Sequence, residues 1–450
     1  MSAGARPLTR HREVLALAVP AFATLVSEPL FLLADSAIVG HLGPTSLAAL
    51  GIASAVLSGV VGLSIFLAYG TTAATARRLG AGDRRGALAM GVDGLWLAIG
   101  LGTVLAVGMA VAAEPVVRAL GGSDAVTPDA VAYLRASLIG LPGMLVVLAA
   151  TGVLRGLLDT RTPLVVAVIG AGSNAALNWL LVYPAGLGIA GSGLGTAIVQ
   201  LGMGLVLGLS VVRHARRAQA SLRPRPAGIL LAARTGVPLV VRSAAMRVAL
   251  LLTASTAAAM GDTQLAAHQV VFTVWTFTTF ALDALAIAAQ ALTGRYLGAG
   301  NVDEVRDATG LMVRWGVGFG CLLTVVLLAI RPWLGNVFTP DEAVRAAIAA
   351  ALVPCALAMP LSGYVFVIDG VLIGAGDGRY LGGTAVLNTA VYLVGAGLLL
   401  WRHQAGDAWA DGQSGLVALW VVFVVFWMGS RAVTLRHRER GTTWLVTGAT

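Results

Sequence analysis

The side chains best suited to chemistry lie inside apolar stretches of the chain. Glu28 and Asp35 are seven residues apart in the first stretch, so both fall near one face of a helix. Asn174 and Asn178, four residues apart in a later stretch, also share a face. Ionisable groups are costly inside a membrane helix, so they are candidates for function there, and such an acid can bind and release a proton. Pro29 cannot donate a backbone hydrogen bond and is predicted to act as a hinge, with Glu28 either functional or part of that hinge.

Asp35, Asn178 and Thr196 are predicted to lie at similar depth. Asp35 and Asn178 each lie about six residues before the outer end of their apolar stretch. Thr196 lies about six residues after the outer start of the following apolar stretch. Six residues correspond to roughly 9 Å of helix rise. With Asn174 they form one polar cluster if the helices pack together. Ordinary hydrogen bonding between helices is the alternative explanation for each of these side chains.

The second half of the chain carries its own acids, Asp283 and Asp369. They are candidates for contacting a cationic substrate or for a second protonation step. Arg242 and Arg247 lie near the inner end of their stretch, and one of them is expected to neutralise an acid. Extension toward the membrane surface is the alternative for Arg242. An aromatic chamber for an organic cation could be lined by Trp275, Phe277 and Phe280, and packing against lipid is the alternative.

The elements that must hold these residues are membrane-spanning helices. Hydrophobic residues make up 58% of the 450-residue chain and charged residues 11%, with a mean hydropathy of +0.86. An ordinary soluble domain has roughly a quarter of its residues charged. A spanning helix needs about 20 largely apolar residues. Twelve stretches meet this requirement, at 14–40, 47–70, 87–112, 131–154, 163–184, 190–212, 236–259, 266–292, 311–330, 346–372, 380–401 and 415–434.

The distribution of arginine predicts the orientation of these spans. Arginines are concentrated in the N-terminal segment, in the loops on the same side of the membrane, in residues 213–235 and in the segment Arg431–Arg440. The opposite loops hold only Arg118, Arg331, Arg345 and Arg402, with Arg135 close to a helix end. Because cytoplasmic loops carry the excess of basic residues, both termini are predicted to be cytoplasmic. The basic and then apolar N-terminus is interpreted as a retained first helix rather than a cleaved signal peptide.

An internal repeat with an offset of 218 residues relates the two halves. The sequence LGAG at 79–82 recurs at 297–300, Pro142 recurs as Pro360, and Asp159 recurs as Asp377. Six helices separate the copies, so both enter the membrane in the same direction. The predicted fold is an all-α integral membrane protein with 12 transmembrane helices in two parallel six-helix repeats around a central cleft. Its predicted parts are an N-terminal lobe at 1–212, a cytoplasmic Arg- and Pro-rich linker at 213–235, and a C-terminal lobe with a cytoplasmic tail at 236–450.

Other kinds of site are not indicated. The net charge of +9 is explained by loop arginines that orient the helices, so we expect no nucleic-acid partner. Cys321 and Cys355 lie in apolar stretches without a ligand-like neighbour, which argues against a disulfide framework or a metal site. The glycine-containing loop GAGDRR at 80–85 lacks the strand-then-helix context of a phosphate-binding loop, so we interpret it as a turn between helices.

Several motifs, in their order and spacing, resemble those of one transporter family. The first half contains SEPLFLLADSAIVGHLGPTSLAALGIA, ARRLGAGD, TGVLRGLLDTRTP and SNAALNWLL, and the second contains LDALAIAAQALTGRYLGAGN and DGVLIGAGDGR. From about residue 12 to residue 434 the chain resembles the multidrug and toxic compound extrusion (MATE) transporters, in particular their DinF-like branch.

The resemblance implies secondary antiport of small organic compounds, cationic or amphiphilic, against an inward gradient of protons or sodium ions. It places the cation-coupling site at Asp35, Asn174, Asn178 and Thr196. Asn178 stands where some relatives have an acidic residue, which weakens the case for sodium and favours protons. Nucleotide is not expected as an energy source, and the chain has no G-x-x-x-x-G-K-[ST] motif.

The leading hypothesis is therefore a proton-coupled exporter of xenobiotic organic compounds in the cell inner membrane, working as a monomer without a bound cofactor. A sodium-coupled version of the same exporter and a lipid-linked precursor flippase of the same superfamily are the alternatives within transport. An integral-membrane transferase is the alternative from another class, but no D-x-x-x-D metal motif beside a membrane face supports it, so we expect no enzymatic activity.

Overall fold

A computed structural model describes the backbone of residues 7–449 and the side chains of 11–27 and 29–449. Within that part of the chain every regular element is helical and no strand occurs. A π-helical segment, Phe423–Gly429, joins the last two helices. The α-helices are α1 (Pro7–Gly40), α2 (Pro44–Leu63), α3 (Phe66–Gly80), α4 (Arg84–Ala119), α5 (Thr127–Leu138), α6 (Leu141–Gly156), α7 (Arg161–Val182), α8 (Gly188–Arg217), α9 (Pro226–Ala259), α10 (Asp262–Gly298), α11 (Val302–Phe338), α12 (Glu342–Leu357), α13 (Met359–Gly374), α14 (Gly378–Gln404), α15 (Gly412–Val422) and α16 (Ser430–Arg440).

The described residues hold 10 helical segments long and apolar enough to cross a membrane, and 12 if each of two bent helix pairs counts as one span. The pairs are α5 with α6, bent by 49°, and α12 with α13, bent by 50°. Pro142 and Pro360 are the second residues of α6 and α13, in the first helical turn, where a proline is tolerated but cannot continue the preceding helix. The predicted number and type of spans are thereby confirmed.

The helices are longer than the spans predicted from hydropathy. The stretch predicted at 311–330 is part of α11, which runs from Val302 to Phe338. The linker predicted at 213–235 is also mostly helical, because α8 continues to Arg217 and α9 begins at Pro226. Hydropathy marks only the apolar section of a helix, whereas its hydrogen-bonded backbone continues through polar and basic residues.

Close packing of glycines repeats at the same offset as the sequence. A Cβ on Gly152 of α6 would overlap the backbone carbonyl of Ala68, and one on Gly370 of α13 would overlap that of Ala286. Gly152 and Gly370 are 218 residues apart, and so are their contact partners Ala68 and Ala286. The duplication is therefore visible in the packing of the helices as well as in the amino-acid sequence.

The chain divides into two compact units. The N unit comprises Leu15–Val237 with Gly294–Gly300 and the chain from Thr447. In it α8 packs on α5, α6 and α7, and α6 packs on α3 and α4. The C unit comprises the chain up to Val14, Pro238–Thr293 and Asn301–Val446. In it α11 packs on α12 and α13, and α14 packs on the π-helical segment.

A buried carboxylate fixes the segment between α8 and α9 within the N unit. Asp93 of α4 is buried and accepts hydrogen bonds from Nη2 and Nε of Arg225 at 2.6 and 3.0 Å and from the Arg225 backbone N–H at 3.3 Å. Trp96, almost one turn later, donates its indole N–H to the carbonyl of Leu222 at 3.1 Å. Such a fork of charge-assisted bonds holds the connecting segment in one position against α4.

Candidate ion-coupling site

Four helices of the N unit bring one polar cluster together. Asp35 comes from α1, Tyr133 from α5, Asn178 from α7, and Ser192 from α8. Glycines of α8 allow the close approach, because a Cβ on Gly193 would lie 2.6 Å from the backbone oxygen of Tyr133. The sequence GSGLG at the start of α8 thus positions the site by removing side chains on the faces toward α5 and α7.

The Asp35 carboxylate is at the centre of this cluster and is 5% exposed. Its Oδ2 accepts a hydrogen bond from the hydroxyl of Tyr133 at 3.0 Å. Its Oδ1 accepts from the hydroxyl of Ser192 at 3.0 Å and from the amide Nδ2 of Asn178. All three donors are neutral, so among the described residues no cation is hydrogen-bonded to this carboxylate.

Two further side chains extend the network behind Asp35. Asn178 also donates from Nδ2 to the Oδ1 of Asn174 at 3.2 Å, and Asn174 donates from Nδ2 to the hydroxyl of Thr196 at 3.1 Å. Both asparagines are completely buried. The Oδ1 of Asn178 is buried without a hydrogen-bond partner among the described residues, and a Cβ on Gly195 would overlap it. An acceptor left in this state is unusual in a folded protein and can receive a proton donor or a cation.

The arrangement is suited to reversible protonation of one carboxyl group. Hydroxyls can both donate and accept, and an amide can turn to exchange its donor and acceptor ends. The neighbours of Asp35 can therefore hydrogen-bond either the carboxylate or the protonated acid. A fixed guanidinium in their place would hold the group as a carboxylate.

The residues predicted from spacing and depth, Asp35, Asn174, Asn178 and Thr196, are all in this cluster. Tyr133 and Ser192 were not predicted. For Ser192 a signal existed, since it lies four residues before Thr196 on the same face of α8.

The predicted hinge region lies one to two turns before Asp35. Pro29 lies inside α1, which is a single helix from Pro7 to Gly40, so the structure shows no break there. The side chain of Glu28, the other predicted residue of this region, lies outside the described residues.

The acids of the C unit have different surroundings. Asp369 of α13 is paired with Arg242 of α9 and, at 3.2 Å, with Arg431 of α16. The prediction that Arg242 or Arg247 neutralises an acid is confirmed for Arg242. Arg431, which was predicted on the cytoplasmic side from the distribution of arginine, is buried and donates to the Asp369 carboxylate. Asp283 of α10 is half-buried and does not line the cavity beside Asp369.

Trp275 is buried in an aromatic cluster of the C unit. Its ring contacts Phe272 at 5.7 Å, Phe423 at 5.5 Å and Trp427 at 6.3 Å between centroids. Phe277, two residues later, is exposed on the surface of the described chain. The two residues therefore face different surroundings and do not form one aromatic surface.

No cluster of three or more metal-binding side chains occurs in residues that the structure describes. Cys321 is exposed, Cys355 is buried, and both are free. The buried acidic residues of the described chain are Asp35, Asp93 and Asp369.

Comparison with known proteins gives a consistent result. The MatE family model matches residues 20–180 and 238–398. The chain is 31% identical to the probable multidrug resistance protein NorM of Pseudomonas putida over 332 residues, covering 70% of each protein. It is 26% identical to the DNA damage-inducible protein F of Escherichia coli over 446 residues, covering 96% of this chain and 93% of that protein. The solved structure of a MOP superfamily transporter from Pyrococcus furiosus shares the fold with a TM-score of 0.85 at 23% identity, covering 96% of both chains. The chain therefore belongs to the MatE family of multidrug and toxic compound efflux transporters.

Proposed function

We propose that this protein is a secondary antiporter that exports small organic compounds in exchange for protons, with Asp35 as the principal proton carrier. The observation that carries the proposal is that the buried Asp35 carboxylate is hydrogen-bonded by Tyr133, Ser192 and Asn178, all of them neutral. A buried acid with neutral partners can change its charge at a much smaller cost than one in a fixed ion pair.

In this proposal, protonation from outside neutralises Asp35 and weakens its hold on the neutral donors of α5, α7 and α8. Each hydrogen bond to a charged acceptor contributes about 1.5–3 kcal/mol, so the loss of charge can change the preferred position of α1. Pro29, about two turns before Asp35, is the proposed point of bending. Deprotonation toward the cytoplasm restores the hydrogen bonds and resets the transporter.

The test is efflux by purified protein in liposomes, with an imposed proton gradient and sodium-free buffer, using a panel of fluorescent cationic and zwitterionic organic compounds. We expect gradient-driven efflux by the wild type and none above leak by Asp35→Asn, which keeps the size and hydrogen-bonding capacity of the side chain. A matched control is Asp129→Asn, because Asp129 lies on α5 and contacts Ser46 rather than the cluster. Gradient-driven efflux by Asp35→Asn would overturn the proposal.

Sodium coupling is the second candidate, and one observation favours it. The Oδ1 of Asn178 is buried without a partner among the described residues, beside an acidic side chain. If the amide turned, this oxygen and the Asp35 carboxylate would both face one cation, and hard cations prefer such ligands. Efflux that appears only after sodium is added to the same liposomes would establish sodium coupling. It would also show that a proton gradient alone does not drive efflux.

The proposal also covers the oligomeric state, the location, the cofactors and the partners of the exporter. We propose that it acts as a monomer in the cell inner membrane, with both termini in the cytoplasm. It uses no bound cofactor, metal, nucleotide or nucleic-acid partner, and it catalyses no chemical reaction. Its partners are the lipid bilayer and the organic compounds that it transports.

A further inference from the structure

The connection between α8 and α9 lies in a part of the chain that has no acidic residue. Between Asp159 and Asp262 there is no aspartate or glutamate, although arginines are frequent. Positive charge at this connection can therefore be balanced only by an acid from another element or by a partner molecule. Four arginines of the connection are exposed and make up a basic surface: Arg213, Arg216, Arg217 and Arg223.

The end of α8 groups three of these arginines on one side. Arg213 is three residues before Arg216 and four before Arg217, so the three side chains leave the same face of the helix. Like charges at this spacing repel one another, which makes the arrangement unfavourable for an isolated helix. An anion bound between the side chains would relieve that repulsion.

A tight turn keeps the fourth arginine close to the other three. The backbone N–H of Ala220 donates to the carbonyl of Ala215 at 2.9 Å, which is the bond that closes a Schellman turn. Gln219 has a φ of 54°, as this turn requires. Arg223 follows Ala220 by three residues, a backbone reach of about 10 Å at most. It therefore stays beside the last turn of α8.

Contacts with α4 fix the connection in one position. Asp93 accepts from both Nε and Nη2 of Arg225, and the indole N–H of Trp96 donates to the carbonyl of Leu222. Arg223 lies between these two anchored residues, so its backbone is held in place. Charges that are held in advance bind a partner with a smaller loss of conformational freedom than mobile ones.

The basic surface is not neutralised within the part of the chain that the structure describes. None of its four arginines forms an ion pair there. Exposed arginines of the opposite loops are different, because Arg118 pairs with Asp124 at 2.8 Å and Arg402 pairs with Asp407 at 3.3 Å. Unbalanced positive charge of this kind attracts an anionic partner.

The position of the basic surface points to a lipid headgroup as that partner. α8 has no charged residue before Arg213, so the helix changes from apolar to basic, as expected where a span leaves the hydrocarbon. Trp96 is 41% exposed while its N–H is already bonded, so an apolar ring faces outward next to the connection. Indole rings favour the headgroup level of a bilayer. A free anion or a nucleic acid would require no such ring.

We propose that the basic surface binds the headgroup of an anionic phospholipid, with its four arginines supplying the positive charge and Trp96 packing against the adjoining part of the lipid. The bound lipid holds the end of α8 and the start of the connection at the membrane surface. This inference requires a chain that spans a membrane, and it is independent of proton transfer at Asp35.

The first experiment uses the intact wild-type protein in detergent, without any ion gradient. Thermal unfolding is measured with added phosphatidylglycerol, with phosphatidylcholine of the same acyl chains, with inorganic phosphate and with a short DNA duplex. We expect a saturable rise in the unfolding temperature with phosphatidylglycerol alone. The rise should shrink at high ionic strength, because salt screens exposed charges. An equal rise with phosphatidylcholine, phosphate or DNA would overturn the proposal.

The second experiment assigns the binding to the basic surface. The triple variant Arg213→Gln, Arg216→Gln and Arg217→Gln should bind phosphatidylglycerol on the order of a hundred-fold more weakly, because each arginine near an anionic surface contributes about five-fold. If this variant does not fold, Arg223→Gln, which lies outside any helix, should bind about five-fold more weakly. Unchanged affinity in the variant that folds would contradict the assignment.

A control variant makes the same change in net charge elsewhere. It combines Arg118→Gln, Arg345→Gln and Arg402→Gln, whose arginines are paired with acids in the opposite loops. We expect it to bind phosphatidylglycerol as the wild type does. Equal weakening in the two triple variants would show that only the net charge matters, and the basic surface would then be rejected.

The outcome is separate from that of the proton-coupling test. Absence of selective phosphatidylglycerol binding with normal proton-driven efflux would reject the lipid site and leave the proton carrier in place. Selective binding without proton-driven efflux would support the lipid site and reject the proposed coupling.

Discussion

Asp35 and Asp369 are both buried acids, but their neighbours suit them to different tasks. Asp35 is surrounded by hydroxyl and amide donors, whereas Asp369 accepts from two guanidinium groups. Neutral donors can bond both protonation states of a carboxyl group, and guanidiniums strongly favour the carboxylate. This difference in partners is why we propose Asp35, and not Asp369, as the proton carrier.

We expect the residue at position 178 to influence which cation the site uses. Asn178→Asp adds a second carboxylate beside Asp35, and two like charges at short range require a cation between them or a proton on one of them. We expect the variant to acquire sodium-dependent efflux that the wild type lacks. The measurement is efflux with and without sodium at a constant proton gradient. An unchanged response to sodium would show that the residue at 178 does not select the ion.

Some residues of the ion-coupling site could be predicted from the sequence and others could not. Asp35, Asn174, Asn178 and Thr196 could be predicted because acids and amides are rare in apolar helices and their spacing defines a face. Tyr133 could not be singled out, since hydroxyl side chains are common in membrane helices and often bond to their own backbone. For Ser192 the only signal was its spacing of four residues from Thr196. Asp93 also lies in a predicted span, but its partner Arg225 is 132 residues away and no local pattern joins them.

At the scale of elements, the approach of α8 to α7 depends on a missing side chain. Gly195→Ala would place a methyl group against the Oδ1 of Asn178, and overpacking of this kind typically costs about 1–3 kcal/mol. We expect a lower unfolding temperature and a loss of proton-driven efflux, because Asn178 must move away from Asp35. The control is Gly202→Ala on the same helix, where a Cβ meets nothing within 4 Å. Equal effects of the two substitutions would contradict this packing argument.

The starts of two equivalent helices use the same type of cap. The side chain of Asp83 accepts the backbone N–H of Gly86 at 2.7 Å before α4, and that of Asn301, at the repeat position, accepts from Glu304 at 3.4 Å before α11. The Gly86 hydrogen bond, followed by pairing with Arg78, lowers the pKa of Asp83 below its ordinary value of 3.8. The stabilisation is therefore complete at neutral pH and is lost only as the pH falls through this lowered value.

Removal of this cap should be measurable. Asp83→Ala is expected to lower the free energy of unfolding by about 1 kcal/mol at neutral pH, because the N-terminal N–H groups of α4 lose their acceptor. Asp83→Asn retains a capping oxygen and should lose less. Chemical unfolding of the purified protein provides the comparison. If Asp83→Ala and Asp83→Asn are equally stable, the cap does not contribute as described.

At the scale of the whole molecule, composition and the repeat predicted most of the architecture. An apolar chain with a 218-residue offset is sufficient to indicate paired six-helix lobes, and the family match at 20–180 and 238–398 has the same offset. Helix bounds were less predictable, because basic helix ends such as residues 213–217 have the composition of a loop. The bends before α6 and α13 were also not predicted, although Pro142 and Pro360 had been identified as repeat partners.

The predicted orientation of the chain in the membrane can be tested directly. Ser221 and Ser414 are both exposed in the structure, and the arginine distribution predicts that they lie on opposite sides of the membrane. In a background with Cys321 and Cys355 replaced, Ser221→Cys should react with an impermeant thiol reagent only after the cells are opened. Ser414→Cys should react in intact cells. The reverse pattern would invert the proposed topology.

The central claim, that Asp35 carries the protons exchanged for substrate, is tested most directly by measuring proton movement itself. Purified protein is reconstituted in sodium-free liposomes that contain a pH-sensitive dye, and a gradient of a transported compound is imposed with no initial pH difference. We predict that the wild type moves protons against the compound's direction of travel and that Asp35→Asn, with the same amount of folded protein, moves none. Proton movement by Asp35→Asn, or its absence in the wild type until sodium is supplied, would contradict the claim.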